Sequence, residues 1–206
     1  MFFSFDGIDG AGKSTQVRLF CERLSAHGLD VVACRDPGST ELGKRIREMV
    51  LSHDRATPIG LRSEMRLYMA ARAQLVDEVI RPARAAGKTL VCDRFLLANI
   101  VYQAYAGGLD VSAVKQVGAI ATDGVLPDCV FLLDVAIENA DRRMSRPLDR
   151  MESQGLEYRR RLRDGFLAEA ARSDGRIHVI DANQGIDAVQ SDIWRIAAHQ
   201  LGLTLQ

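Results

Sequence analysis

The residues that could do chemistry gather first near the start of the chain. Gly7-Ile8-Asp9-Gly10-Ala11-Gly12-Lys13-Ser14-Thr15 follows the apolar run Phe2–Phe5 and leads into an amphipathic stretch, Gly12–His27. This satisfies G-x-x-x-x-G-K-[ST] in the strand-then-helix context that the pattern needs. Glycines let successive backbone N–H groups turn inward around an anion without Cβ clashes. The helix that follows points its positive end at the same phosphates. Lys13 then reaches the β- and γ-phosphates of ATP, and the Ser14 hydroxyl suits Mg²⁺, the expected cofactor. Gly7, Asp9, Gly10, Ala11, Gly12, Lys13, Ser14 and Thr15 therefore form the expected ATP-binding loop. The loop alone does not name the acceptor.

A small-molecule acceptor needs a second anion site, so the placement of the arginines discriminates between acceptors. Ligands of an open parallel sheet bind at the C-terminal ends of its strands. Arg35, Asp93-Arg94 and Asp134 fall at such ends, and Arg47 and Arg72 lie on helices that follow. The guanidinium fork of Arg94 suits a phosphate monoester. Tyr68 and Arg72 are four apart, so on a helix they share a face. A ring and a donor placed that way can stack on a pyrimidine and reach its carbonyl. A GTPase would need an N-K-x-D segment, and the sequence has none. A motor or transport ATPase usually needs more chain than 206 residues.

The elements that must hold these groups follow from periodicity. Five short apolar runs are expected as buried strands: Phe2–Phe5, Val31–Cys34, Thr89–Cys92, Cys129–Leu133 and Ile177–Ile180. Amphipathic stretches alternate with them at Gly12–His27, Glu41–Leu51, Gly60–Ala86, Asp110–Thr122, Ala136–Ser145, Gln154–Ser173 and Ile186–Leu201. Alternation of this kind predicts an α/β domain with a parallel sheet covered on both faces. With no repeat, low-complexity tract or linker, residues 1–206 are expected as a single domain.

Composition narrows the class. The 27 basic and 27 acidic side chains give zero net charge, which excludes a generally basic nucleic-acid binder or a polybasic membrane-surface protein. No run reaches the length of a membrane span, and the first residues do not read as a signal peptide. The four cysteines form no CxxC pair and have no histidine at metal-ligand spacing, so buried free thiols in a cytoplasmic protein are expected. The basic run Arg159, Arg160, Arg161 and Arg163 is expected as a solvated helix face.

Taken together in order and spacing, several segments resemble the thymidylate kinase family from Phe3 to about Ala188. They are FDGIDGAGKST at 5–15, RDPGSTELG at 35–43, YMAARAQLV at 68–76, DRF at 93–95 with YQ at 102–103, LDRME at 148–152 and DAN at 181–183. The resemblance implies the P-loop nucleoside monophosphate kinase fold, a five-stranded parallel sheet flanked by helices with a short mobile lid at about 141–155. It implies transfer of the γ-phosphoryl group of ATP to dTMP, giving dTDP and ADP on the way to dTTP. It also implies small nucleotides as partners and a homodimer. Another P-loop nucleotide or nucleoside kinase, or a non-catalytic nucleotide sensor, is the competing reading.

The same resemblance distributes roles. Asp9, beside polyphosphate where a carboxylate is unfavourable, positions dTMP. Arg94 and Arg47 bind the dTMP phosphate, and Asp93 holds Mg²⁺ through water or orients the acceptor. Tyr68 stacks on the base, Arg72 contacts it, and Asn99, Tyr102, Gln103 and Tyr158 lie near base and sugar. Ala98 stands where a serine is common. Because Ala11 is small, the catalytic cation is expected from the lid set Arg142, Arg143, Arg146 and Arg150, with Arg143 or Arg146 favoured. Asp149 and Glu152 match an acidic pair closing over the nucleotide, with Pro147 and Gly155 bounding the turn. Asp134 reads equally as a metal ligand or a helix cap, and Arg35 as a partner of Asp36.

Overall fold

The computed structural model of the chain describes residues 1–51, 58–144 and 155–203. Its sheet is built from β1 (Phe2–Asp6), β2 (Val31–Arg35), β3 (Thr89–Asp93), β4 (Cys129–Asp134) and β5 (Ile177–Asp181). The order is β2-β3-β1-β4-β5, with every pairing parallel. From β1 the chain crosses to the edge strand β2, returns with β3 between the two, and then resumes on the other side of β1 with β4. That reversal leaves a crevice at the C-terminal end of β1, where the phosphate loop begins.

Each strand runs one residue beyond its apolar stretch and stops on a charged side chain: Asp6, Arg35, Asp93, Asp134 or Asp181. Apolar pattern alone cannot see that last residue, because the backbone ladder continues while the side chain changes character. The outcome is a row of charge along one sheet edge.

The helices are α1 (Lys13–Ala26), α2 (Glu41–Leu51), α3 (Leu61–Leu75), α4 (Arg81–Ala85), α5 (Leu96–Asn99), α6 (Val111–Thr122), α7 (Ile137–Arg143), α8 (Leu156–Ala171) and α9 (Ile186–Leu201). The long stretch expected from Gly60 to Ala86 is helical almost throughout, but Val76–Ile80 is π-helical before α4. Pro82 sits in the first turn of α4 and has no N–H for the usual ladder, which accounts for the widening just before it.

One helix was not expected: α5 continues into a π-helical segment, Ile100–Ala106. Its residues are mostly buried, so it lacks the polar face that creates helical periodicity. It packs between α3, α6 and α8. On the core side of β1, Phe3, Phe5, Phe20, Phe131 and Trp194 form a chain of ring contacts that joins the sheet to α1 and α9. These packed helices give the charged strand ends a rigid base.

Candidate active site

The phosphate loop is shaped by close approaches. Gly7 and Gly10 both have positive φ, and a Cβ at either would lie 2.5 Å from the Leu133 carbonyl oxygen or 2.4 Å from the Ala140 carbonyl oxygen. The first contact presses the loop on β4, and the second presses it on α7. Lys13 is buried, and its Nζ donates to the carbonyls of Gly7 (3.0 Å) and Ile8 (2.8 Å), with Asp9 at 3.6 Å. Burial, reinforced by Arg94, lowers the Lys13 pKa to about 8. Ser14 is exposed in the first turn of α1, and Thr15 is half-buried.

Arg94 follows β3 with φ 67, a left-handed conformation that costs a non-glycine residue energy. Its backbone N–H donates to Phe5 at 2.9 Å, its Nη1 donates to Gly7 at 3.2 Å, and its Nη2 pairs with Asp9. The Tyr102 hydroxyl donates to the other Asp9 oxygen at 3.0 Å, and the Arg94 guanidinium lies over the Tyr102 ring at 5.2 Å. Burial alone would lower the Arg94 pKa, but the carboxylates of Asp9, Asp93 and Asp6 hold it well above the usual value.

Beside this cluster opens a cleft. Asp9, Arg47, Tyr68, Arg72, Arg94, Asn99, Tyr102 and Gln103, all expected from sequence, line it together. Arg35 and Arg47 crowd the same wall, and burial together with Arg35 pulls the Arg47 guanidinium below its usual range. Two cations held close together favour a bound anion. At the other end, Arg72 is fully buried. Its Nε donates to Asp36 at 2.5 Å, Nη1 to the Met69 sulfur at 3.1 Å and Nη2 to the Phe95 carbonyl at 3.2 Å.

Several sequence expectations need correction. Asp36 pairs with Arg72, not Arg35; Arg35 instead meets Asp93 at 3.5 Å. Asp134 neither caps α7 nor stands free for a metal. Arg163 grips both its oxygens, at 2.6 and 2.8 Å, and the N–H at the α7 start donates to Asn183 instead. The basic run of α8 is therefore not simply solvated, since Arg159 also pairs with Asp141. Tyr158 is buried in the main core cluster and is not among the cleft-lining residues. Arg143 lies at the end of α7 and donates to the Ala182 carbonyl at 2.8 Å. Arg146, Pro147, Asp149, Arg150 and Glu152 lie outside the described residues.

Sequence reasoning passed over two buried acids. Glu64 is 1% exposed and lies on α3 at the spacing 64, 68, 72 with Tyr68 and Arg72, a signal that could have found it. Asp6 ends β1 with both carboxylate oxygens buried and unpartnered. Its pKa is raised by burial to about 7, against the pull of Arg94 and Lys13.

The fit to Mg²⁺ can be judged from the oxygen donors. Asp93 has one buried carboxylate oxygen without a hydrogen-bond partner, and Ser14 offers a hydroxyl at the loop. Among the described residues no cluster of three or more acidic, histidine or cysteine side chains could hold an ion. The Asp93 and Ser14 oxygens suit Mg²⁺, which keeps waters and takes one or two protein ligands with substrate phosphates.

A parallel sheet with a phosphate loop at its switch point, facing a second cleft rich in arginine, defines a P-loop nucleotide kinase. The thymidylate kinase family profile matches residues 5–193. The chain is 43% identical over 193 residues to the thymidylate kinase of Rhodopirellula baltica, covering 94% of this chain and 78% of that one. It is 41% identical over 210 positions to the thymidylate kinase of Pelotomaculum thermopropionicum, covering 100% and 96%. The crystal structure of thymidylate kinase from Ehrlichia chaffeensis superposes with a TM-score of 0.79 at 30% identity, covering 96% and 98%. The chain belongs to the thymidylate kinase family.

Proposed function

We propose that this protein carries out the family's reaction, transferring the γ-phosphoryl group of ATP to dTMP, with the following division of labour. The phosphate loop and Lys13 hold the ATP phosphates. Ser14, and Asp93 through water, would hold Mg²⁺, which supplies neutralising charge to the β- and γ-phosphates. Arg94 and Arg47 hold the dTMP phosphate in line, while Asp9 and Tyr102 fix the position of Arg94. Tyr68 stacks on the base, Arg72 donates to its carbonyl, and Asn99 and Gln103 border it.

A dTMP phosphate oxygen attacks the γ-phosphorus, and the bond to the β–γ bridging oxygen breaks. The nucleophile is already anionic near neutrality, so no general base is needed. Charge spread over the equatorial oxygens is stabilised by Lys13, Arg94 and a lid arginine, Arg143 or Arg146. What carries this reading is the convergence of Arg47 and Arg94 with Tyr68, Arg72 and Asn99 in one cleft beside the phosphate loop.

The same reading makes the protein a cytoplasmic homodimer working on small nucleotides. Its four cysteines are free thiols. Met49 on α2 and Ile120 on α6 are exposed apolar side chains on helices that both pack on α3. No helix among the described residues is long and apolar enough to cross a membrane.

The test is ADP release measured across dTMP, dUMP, UMP, dCMP and thymidine. Transfer to dTMP well above the others is expected. ATP binding without transfer to any monophosphate would favour a sensor, and preference for thymidine would favour a nucleoside kinase. Sedimentation velocity checks the dimer, which a monomer at micromolar concentration would remove.

A further inference from the structure

The helix that begins with α5 borders a second cavity as well as the acceptor cleft. Ala98 and Asn99 line the cleft, whereas Leu96, Leu97 and Ile100 line the cavity, and the two have no lining residue in common. The cavity floor is a register row across three strands: Ser4 on β1, Val130 on β4 and Ile177 on β5. Its remaining walls come from α6 and the C-terminal end of α8. Those two helices are bridged by Lys115 and Glu169, at 2.8 Å.

The polar groups of this cavity sit at its two ends. On the floor, Ser4 is fully buried and its hydroxyl has no hydrogen-bond partner. Phe3 and Phe5, on either side of it, turn to the aromatic contacts on the opposite sheet face. A buried hydroxyl left unpaired is unfavourable where alanine would pack without that penalty. At the rim, Lys115, Arg172 and Arg176 outnumber Glu169 and Asp174. Glu169 is already engaged by Lys115 and by the Tyr105 hydroxyl at 2.8 Å. Arg172 uses Nη1 alone, toward the Tyr105 oxygen at 2.6 Å and the Ala168 carbonyl at 3.5 Å. Its Nε and Nη2 remain as donors, and Arg176 is exposed beside it.

We propose that this cavity is a second ligand site, for a small hydroxyaryl carboxylate. The ring lies on the apolar surface of Leu96, Ile100, Val130 and Ile177. Its hydroxyl pairs with Ser4, and its carboxylate meets Arg172 and Arg176 at the rim. A rigid ring holds two polar ends apart at less entropic cost than a flexible chain does.

The probe is 6-hydroxy-2-naphthoate, followed by its fluorescence, with 2-naphthoate and 2-naphthol as compounds that each lack one polar end. Saturable binding of one probe per chain is expected. Its Kd should lie about fivefold below that of 2-naphthoate and about tenfold below that of 2-naphthol. Saturating dTMP or ATP should leave the probe bound. Ser4→Ala should erase the preference for the hydroxyl and leave 2-naphthoate binding unchanged. The double variant Arg172→Gln/Arg176→Gln should erase the preference for the carboxylate. No saturable binding up to about 1 mM overturns the proposal, as does competitive displacement by dTMP or ATP. A hydroxyl preference that survives Ser4→Ala, or a carboxylate preference that survives the double variant, also overturns it. Should a variant fail to fold, the parent alone decides: equal affinity for all three compounds overturns the site.

Discussion

Arg94 and Asp9 form an ion pair across the mouth of the phosphate loop, with Tyr102 completing the contact on the far carboxylate oxygen. The pair joins the end of β3 to the loop after β1, so the two halves of the site share one electrostatic joint. Arg94 is held there in a strained backbone conformation by its N–H bond to Phe5. Strain of this sort persists only where the surroundings over-determine it. The joint therefore sets where a phosphate would meet the guanidinium.

Replacing Arg94 by alanine should reveal its role in transfer. The expected loss in kcat is about 10³-fold, the scale of removing one preorganised donor from a phosphoryl-transfer site. ATP affinity, carried by the loop and Lys13, should change only a few-fold. Steady-state kinetics together with ATP titration separate the two effects. Equal turnover in variant and parent would remove Arg94 from the reaction.

Much of this site could be read from the chain before any geometry. The loop needs its glycines, the strand ends must carry the ligands, and Tyr68 with Arg72 share a helical face by spacing alone. The partners of the charged residues could not be read. Asp36 sits one residue from Arg35 in sequence, yet it bonds to Arg72, 36 positions away, because the turn after β2 folds onto α3. Asp134 and Arg163 are 29 apart and meet only because α8 packs across β4 and β5. The helix from Leu96 to Ala106 escaped notice because burial on nearly all sides erased its amphipathic signature. Long-range ion pairs and all-round burial are tertiary outcomes, and local pattern carries no trace of them.

The Asp134 pairing makes a prediction opposite to that of a metal ligand. Asp134→Ala should lower stability by roughly 1 kcal/mol, the scale of a partly exposed, doubly hydrogen-bonded pair. It should leave kcat and the Mg²⁺ concentration dependence of the rate within about twofold. Urea denaturation and a Mg²⁺ titration of the rate check both halves. A large rise in the Mg²⁺ requirement would restore the metal role.

Lys13 gives the site a pH dependence of definite sign. Its pKa is lowered from 10.5 to about 8 by burial and by Arg94. Below pH 8 it is the cation that ATP phosphates need, and above pH 8 it becomes neutral. ATP affinity should therefore weaken as pH rises from 7 to 9, and binding near pH 8.5 should take up protons. Calorimetry in two buffers of different ionisation enthalpy measures that uptake. Lys13→Met should bind ATP weakly and lose this proton linkage; a parent affinity flat from pH 7 to 9 would contradict the assignment.

Asp6 predicts a stability profile that runs the other way from most carboxylates. Its pKa is raised from 3.8 to about 7, and neither oxygen has a hydrogen-bond partner. Below pH 4 the group is neutral in both folded and unfolded chains and costs nothing. Between pH 4 and 7 the unfolded chain releases the proton while the folded one keeps it, so stability falls as pH rises. Above pH 7 the buried charge is in place, and the gap between the two pKa values sets an upper limit of about 4 kcal/mol on its cost. Asp6→Asn removes the charge at nearly the same volume. The variant should be more stable than the parent by about 1–3 kcal/mol at pH 8, with the advantage shrinking toward zero near pH 4. Urea unfolding of both proteins at pH 4.5, 6 and 8 measures the difference directly. A difference that stays constant with pH would mean that Asp6 ionises with the same pKa in the folded and unfolded chains, and that burial does not raise it.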